Sequence, residues 1–146
     1  MNEGLKVPKR PVDLEVLFCN SNEFVPCRVF LSEMSRFQKG QEKLIEFLNT
    51  GRWFVPIERG GQINVVNLHF VAAFRAEADV EYTRLRDTRI VLHNEVTFDV
   101  AEFEPLPENR SRTIDFLNSE KQFLEFLEDG HILYINKLEI MRVVDI

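Results

Sequence analysis

Apolar and polar residues alternate along most of this chain with the two-residue period of β-strands, broken at short clusters of turn-forming residues. Residues 14–19 and 24–31, rich in Val, Phe and Leu, flank Asn20-Ser21-Asn22 and predict a hairpin. Residues 89–93 and 96–103 predict a second around His93-Asn94-Glu95. Leu44, Phe47 and Leu48 stand at i, i+3 and i+4, the spacing of one short helix face, and Gly51 is placed to end it; Ile114 and Leu117 mark a similar turn. Arg52 to Glu58 reads as strand because Pro56 cannot sit inside a helix, and Gly60-Gly61 then turns the chain into a strand from Gln62 to Val66. Arg75 to Tyr82 alternates as well, predicting a strand that runs on from Val71 with Glu77, Asp79 and Glu81 along one face.

The pattern occurs twice. Displaced by 69 residues, 44–77 aligns with 113–146 without a gap, with eight identities in 34 pairs. Phe47-Leu48-Asn49 meets Phe116-Leu117-Asn118, Phe54 meets Phe123, Gly61 meets Gly130, Ile63 meets Ile132 and Asn67 meets Asn136. Upstream, Val16 to Asn20 lies over Ile90 to Asn94 after a shift of five residues, and the extra residues fall in a loop from Ser32 to Gln41. Ser119 to Gln122 resembles a helix start, but Phe123 to Glu128 aligns with the segment containing Pro56 and is expected to be strand. Asn67 and Asn136 each separate two apolar strands, where an Asn suits a sharp bend, bonds local backbone and tolerates positive φ.

The expected fold is therefore mainly β with short helices, of the α+β class. It consists of two tandem, diverged ββαβββ units packed about a pseudo-twofold axis, each covering the other's apolar face in a small-barrel or sandwich-like arrangement. Residues 1–11 are expected to be a flexible tail, 12–83 the first unit and 84–146 the second, together one compact globule.

Charge and cysteine usage narrow the function. The net charge of −6 is uneven: residues 1–73 hold 9 basic against 8 acidic side chains, residues 74–146 hold 9 against 16. An acidic second half repels phosphate backbones, leaving the first half as the place for a basic face. No apolar run approaches the length of a membrane span, and the polar start, MNEGLKVPKRP, lacks the apolar centre of a secretion signal, so a cytoplasmic location is expected. In that compartment Cys19 and Cys27 are expected as two thiols, not a disulfide. The three histidines share no metal spacing with them, and no metal or cofactor is implied.

Catalytic signatures are lacking: there is no nucleophile motif, phosphate-cradling glycine loop or paired-cysteine motif. The acidic row Glu77, Asp79 and Glu81 reads as a solvated face, and His69, His93 and His131 as surface or structural histidines. Arg36, Phe37, Lys39, Lys43, Arg52 and Trp53 form a basic and aromatic group of the kind that clamps a nucleotide or anchors a protein partner.

The segments IEFLNTGRWFVPIERGGQINVVNLHFV and IDFLNSEKQFLEFLEDGHILYINKLEI, with Phe47, Leu48, Asn49 and Asn67 in the first and Phe116, Leu117, Asn118 and Asn136 in the second, carry a resemblance. Their repeated pattern resembles that of an uncharacterised bacterial family, a domain of unknown function, and the resemblance implies no activity. At the position after the Asn the segments differ, Leu68 against Lys137. Two other families are set aside: the Asp/Asn-x-Ser-x-x-Gly element of a PilZ-type receptor is absent, as are the hairpin and loop signatures of an Sm-like RNA-binding ring. The function expected is a non-enzymatic protein-interaction or regulatory module, self-associating or bound to another protein through an exposed strand edge. The alternative is nucleotide or single-stranded nucleic-acid binding, Sm-like or PilZ-like in role, through the first-half cluster.

Overall fold

The computed structural model describes residues 9–104 and 112–146. The elements in order are β1 (Lys9–Phe18), β2 (Val25–Ser32), α1 (Leu44–Leu48), β3 (Phe54–Arg59), β4 (Gln62–Asn67) and β5 (Val71–Glu77), then β6 (Arg86–Leu92), β7 (Thr97–Glu102), α2 (Thr113–Leu117), β8 (Phe123–Glu128), β9 (His131–Asn136) and β10 (Ile140–Asp145). A 3₁₀ turn links β4 to β5 (Leu68–Phe70) and another links β9 to β10 (Lys137–Glu139). The strand predicted over Phe123 to Glu128 is present as β8.

All ten strands form one antiparallel sheet in the order β10-β6-β7-β8-β9-β5-β1-β2-β3-β4. The first five strands occupy one side and the last five the other, each set in the same internal order. Registers also correspond: Phe54 pairs with Asn67 and Phe123 with Asn136, while β5 skips Ala72 against β1 as β10 skips Met141 against β6. The sets meet where β9 pairs with β5, from Ala73 opposite Ile135 to Glu77 opposite His131.

Within each set the sheet bends where pairing is thinnest, between β2 and β3 (Arg28 with Glu58) and between β7 and β8 (Ala101 with Leu127). Two cores result. One gathers Val16, Val29, Leu44, Phe47, Leu48, Ile57, Leu68 and Phe74, and the other Ile90, Leu92, Phe98, Val100, Phe116, Leu124 and Phe126. The central strands serve both. Phe123, Leu127, Ile132 and Tyr134 face the first core, whereas Leu17, Ala72 and Ala73 face the second alongside Leu133 and Ile135. That two-sided burial explains the unbroken apolar run Ile-Leu-Tyr-Ile in β9, which a half-exposed strand would not tolerate.

Three expectations are corrected. The sheet does not close into a barrel: the two sets lie side by side in one sheet, joined through β9 and β5. β1 begins at Lys9, so residues 9–11 are strand and not tail; residues 1–8 lie outside the described residues. β5 stops at Glu77, because its partner β9 begins at His131 and leaves no ladder beyond the Ala78 N–H to Gly130 carbonyl bond. Asp79 and Glu81 therefore lie off the strand, and the acidic row along one face does not form.

Candidate interaction edges

Among the described residues nothing pairs with the outer side of β4 or β10, the two outermost strands. β4 reads Gln-Ile-Asn-Val-Val-Asn, without a charge or a proline. Edge strands in stable monomers are ordinarily guarded by Lys, Pro or a bulge; this one presents Ile63 and Val65 to solvent, 53% and 72% exposed. Phe54 on β3 adds to the same apolar rim at 55%. On and next to β10 in the chain the exposed apolar residues are Leu138, Met141, Val144 and Ile146.

The orientation of β4 follows from its turn. Gly60 and Gly61 both adopt positive φ, 56° and 79°, which makes a two-residue hairpin loop closed by Arg59 and Gln62. Counting from a hydrogen-bonded closing pair, Glu58–Ile63 and Pro56–Val65 are non-hydrogen-bonded pairs. Pro56, lacking an N–H, thus costs the hairpin nothing, and the N–H and C=O of Ile63 and Val65 point out of the sheet edge.

Two asparagines show how such an edge is covered at the β9–β5 junction. The Asn49 side chain, just past α1, donates to the Phe123 carbonyl at 3.1 Å and accepts from the Phe123 N–H at 2.9 Å. Asn136, fully buried, accepts from the Leu138 N–H at 3.1 Å and donates to the carbonyls of Val71 (3.0 Å) and Leu68 (3.3 Å) in the other strand set. Asn67 makes the matching local bond, accepting from the His69 N–H at 3.0 Å. Both Asn residues shape the bend as expected, but at φ of −77° and −67°, so their use is the side-chain cap and not a left-handed backbone.

The sequence-predicted cluster flanks the short helix α1 on both sides. Arg36, Phe37 and Lys39 lie on the exposed loop before α1, and Lys43 is the residue capping that helix. Arg52 and Trp53 lie beyond its other end. Arg52 rests over the Phe47 ring (4.8 Å), and Trp53 stacks on His69 (4.5 Å). No hydrogen bond, ion pair or ring contact among the described residues joins the two groups. Of the repeat residues, Phe47, Leu48 and Asn49 lie against β8 and Asn136 against the 3₁₀ turn that Asn67 caps, while Phe116 packs on Phe126 and Leu117 beside it in the second core and Asn118 lies exposed.

One pocket assembles chemistry that sequence spacing did not join. A cavity of about 880 Å³ is lined by Cys19, Arg59, His69, Phe70, His93 and Glu139, among others, with His93 Nε2 2.8 Å from Glu139 Oε2. Burial, reinforced by Glu139, pushes the Cys19 thiol up to about 12, so it stays protonated near neutrality and is a poor nucleophile. Cys19 and Cys27 are both free; Cys27 pairs with Leu14 on β1, while Cys19 lies past the strand end. The buried Glu102 carboxylate accepts from Thr113 Oγ1 at 2.8 Å, beside Arg86, and ties α2 to β7. Among the described residues no three His, Cys, Asp or Glu side chains are placed to hold a metal ion, and no helix is long and apolar enough to cross a membrane.

No family model, curated protein or solved structure matches the chain.

Proposed function

We propose that this protein is a non-enzymatic interaction module of the cytoplasm that assembles through the edges of its sheet, and that its two strand sets descend from one duplicated unit. The observation that carries the reading is β4: an uncharged strand with outward-pointing backbone groups and exposed Ile63 and Val65, which in a lone molecule would be a standing invitation to aggregation. Retaining such an edge makes physical sense where another strand covers it. Shared registers and the shared bulge support the duplication, since independent hairpins have no reason to skip the same residue.

Hydrogen exchange at increasing protein concentration tests the reading. Amides of Ile63 and Val65 in β4, open to solvent in the single chain, are expected to become protected as concentration rises. Equal, fast exchange at every concentration, with the sedimentation of a 17.2 kDa monomer, would remove it.

Nucleotide or single-strand binding ranks second, because the contacts of Arg52 and Trp53 run to Phe47 and His69 and none among the described residues ties the six side chains it needs into one surface. An unchanged Trp53 fluorescence on adding single-stranded oligonucleotide at low salt would dismiss it.

A further inference from the structure

We propose that the partner of β4 is β10 of a second copy of this chain, so that molecules join head to tail by rebuilding between them the junction that β9 and β5 make within one. The inference rests on the edge-assembly reading and adds the partner, the polarity and the register.

The internal junction serves as the template. By the 69-residue offset β4 corresponds to β9 and β10 to β5. Applied to the observed pairing, it sets Val66 opposite Arg142, Val65 opposite Val143, Asn64 opposite Val144, Ile63 opposite Asp145 and Gln62 opposite Ile146 of the neighbour. Burial differs where a missing neighbour would make it differ. Ile132 and Tyr134, 4% and 8% exposed, project into the core of the adjoining strand set; their counterparts Ile63 and Val65 are 53% and 72% exposed. Phe123 is fully buried against Phe74, and its counterpart Phe54 is 55% exposed. On the other rim Ala72 is 1% exposed and Met141 is 56% exposed.

The junction asparagines repeat the argument in polar groups. Asn118 corresponds to Asn49, lies exposed and makes no side-chain hydrogen bond to a described residue; at the new junction it meets the backbone of the neighbour's Phe54 as Asn49 meets that of Phe123. The Asn67 amide, free of any described acceptor, meets the carbonyls at Lys137 and Ile140 as Asn136 meets those at Leu68 and Val71. Charge favours unlike edges. Joining β10 to β10 brings two acidic second halves together, whereas head-to-tail contact sets each against a nearly neutral first half. Contacts of this polarity leave a free edge at each step and build rings or filaments, not closed dimers.

The experiment blocks one edge at a time. Val65→Pro removes an outward N–H without breaking the β3–β4 ladder, and Val143→Pro does the same for β10; Asp145→Pro, at an exposed strand end, stands in should Val143→Pro not fold. Wild-type protein is expected to exceed the mass of a dimer in sedimentation and native mass spectrometry. Each variant alone is expected as a monomer, and a mixture of the two as a 1:1 dimer, because each supplies the edge the other lacks. Asn118→Ala is expected to weaken this mixed dimer about tenfold when placed in the Val65→Pro chain, with unchanged melting of that chain alone. A wild type that is monomeric throughout overturns both the edge reading and this inference. Assembly that survives either proline, or folded variants that stay monomeric on mixing, overturns the head-to-tail pairing alone and leaves contact between like edges.

Discussion

Asn136 does the work of several groups at once: one carbonyl oxygen caps its own turn and one amide satisfies two backbone carbonyls of the other strand set. Because the site is fully buried, truncation removes a donor to both carbonyls that water cannot replace, although Leu68 keeps the bond from the Val71 N–H. Asn136→Ala is expected to lower unfolding stability by about 2–3 kcal/mol in urea titration, and Asn67→Ala, whose amide has no acceptor among the described residues, by about 1 kcal/mol or less. Glu125 presents the opposite case. Burial holds its carboxyl above the ordinary value, abetted by Glu104 and opposed by Lys121 and Lys43. A folded-state pKa raised above the unfolded one means that ionised Glu125 destabilises the fold at neutral pH, and that this penalty fades as pH falls through the raised value. Glu125→Gln is thus expected to raise the melting temperature by a few degrees at pH 7 and to lose that advantage on acidification; a gain independent of pH would point to packing instead. The Asn bends were legible because Asn between two apolar strands has few other uses. Their reach across the junction was not, since it depends on which strand lies alongside.

At the scale of elements, period-two alternation and turn chemistry located the hairpins, and Pro56 settled β3 and, through the alignment, β8. What alternation could not tell was the manner of packing. It shows which face of a strand is apolar, but β9 is apolar on both, and two-sided burial is equally compatible with a sandwich and with one bent sheet shared by two cores. The contrast between Ile-Leu-Tyr-Ile in β9 and Ile-Asn-Val-Val in β4 held the missing information: Leu133 points into the second core, whereas Asn64, its counterpart, stays in solvent. β5 ended early for a related reason, because a strand lasts only as long as its neighbour, and no property of Asp79 or Glu81 announces where β9 begins. The basic and aromatic group was legible as composition but not as a surface. Its members flank five-residue α1, and Arg52 and Trp53 find their contacts on Phe47 and His69 and not on one another.

For the whole molecule, the shared central strands decide how it unfolds. Had each strand set its own closed core, 146 residues would make two small domains, each marginal on its own. Instead β8 and β9 send Phe123, Leu127, Ile132 and Tyr134 into the first core, while Leu17, Ala72 and Ala73 from β1 and β5 complete the second, so neither core survives loss of the other. Cooperative unfolding in one step is the consequence. Trp53, the only tryptophan, reports on the first set through its stack on His69, whereas far-UV circular dichroism reports on all ten strands. Phe126→Ala, a cavity in the second core, is expected to cost about 3–5 kcal/mol and to move both signals to the same lower midpoint, although Phe126 belongs to the other core. A Trp53 midpoint that stays in place while circular dichroism splits into two transitions would show that the junction is only a docking of independent halves; the β9–β5 pairing would then be too weak a template for the contact between chains.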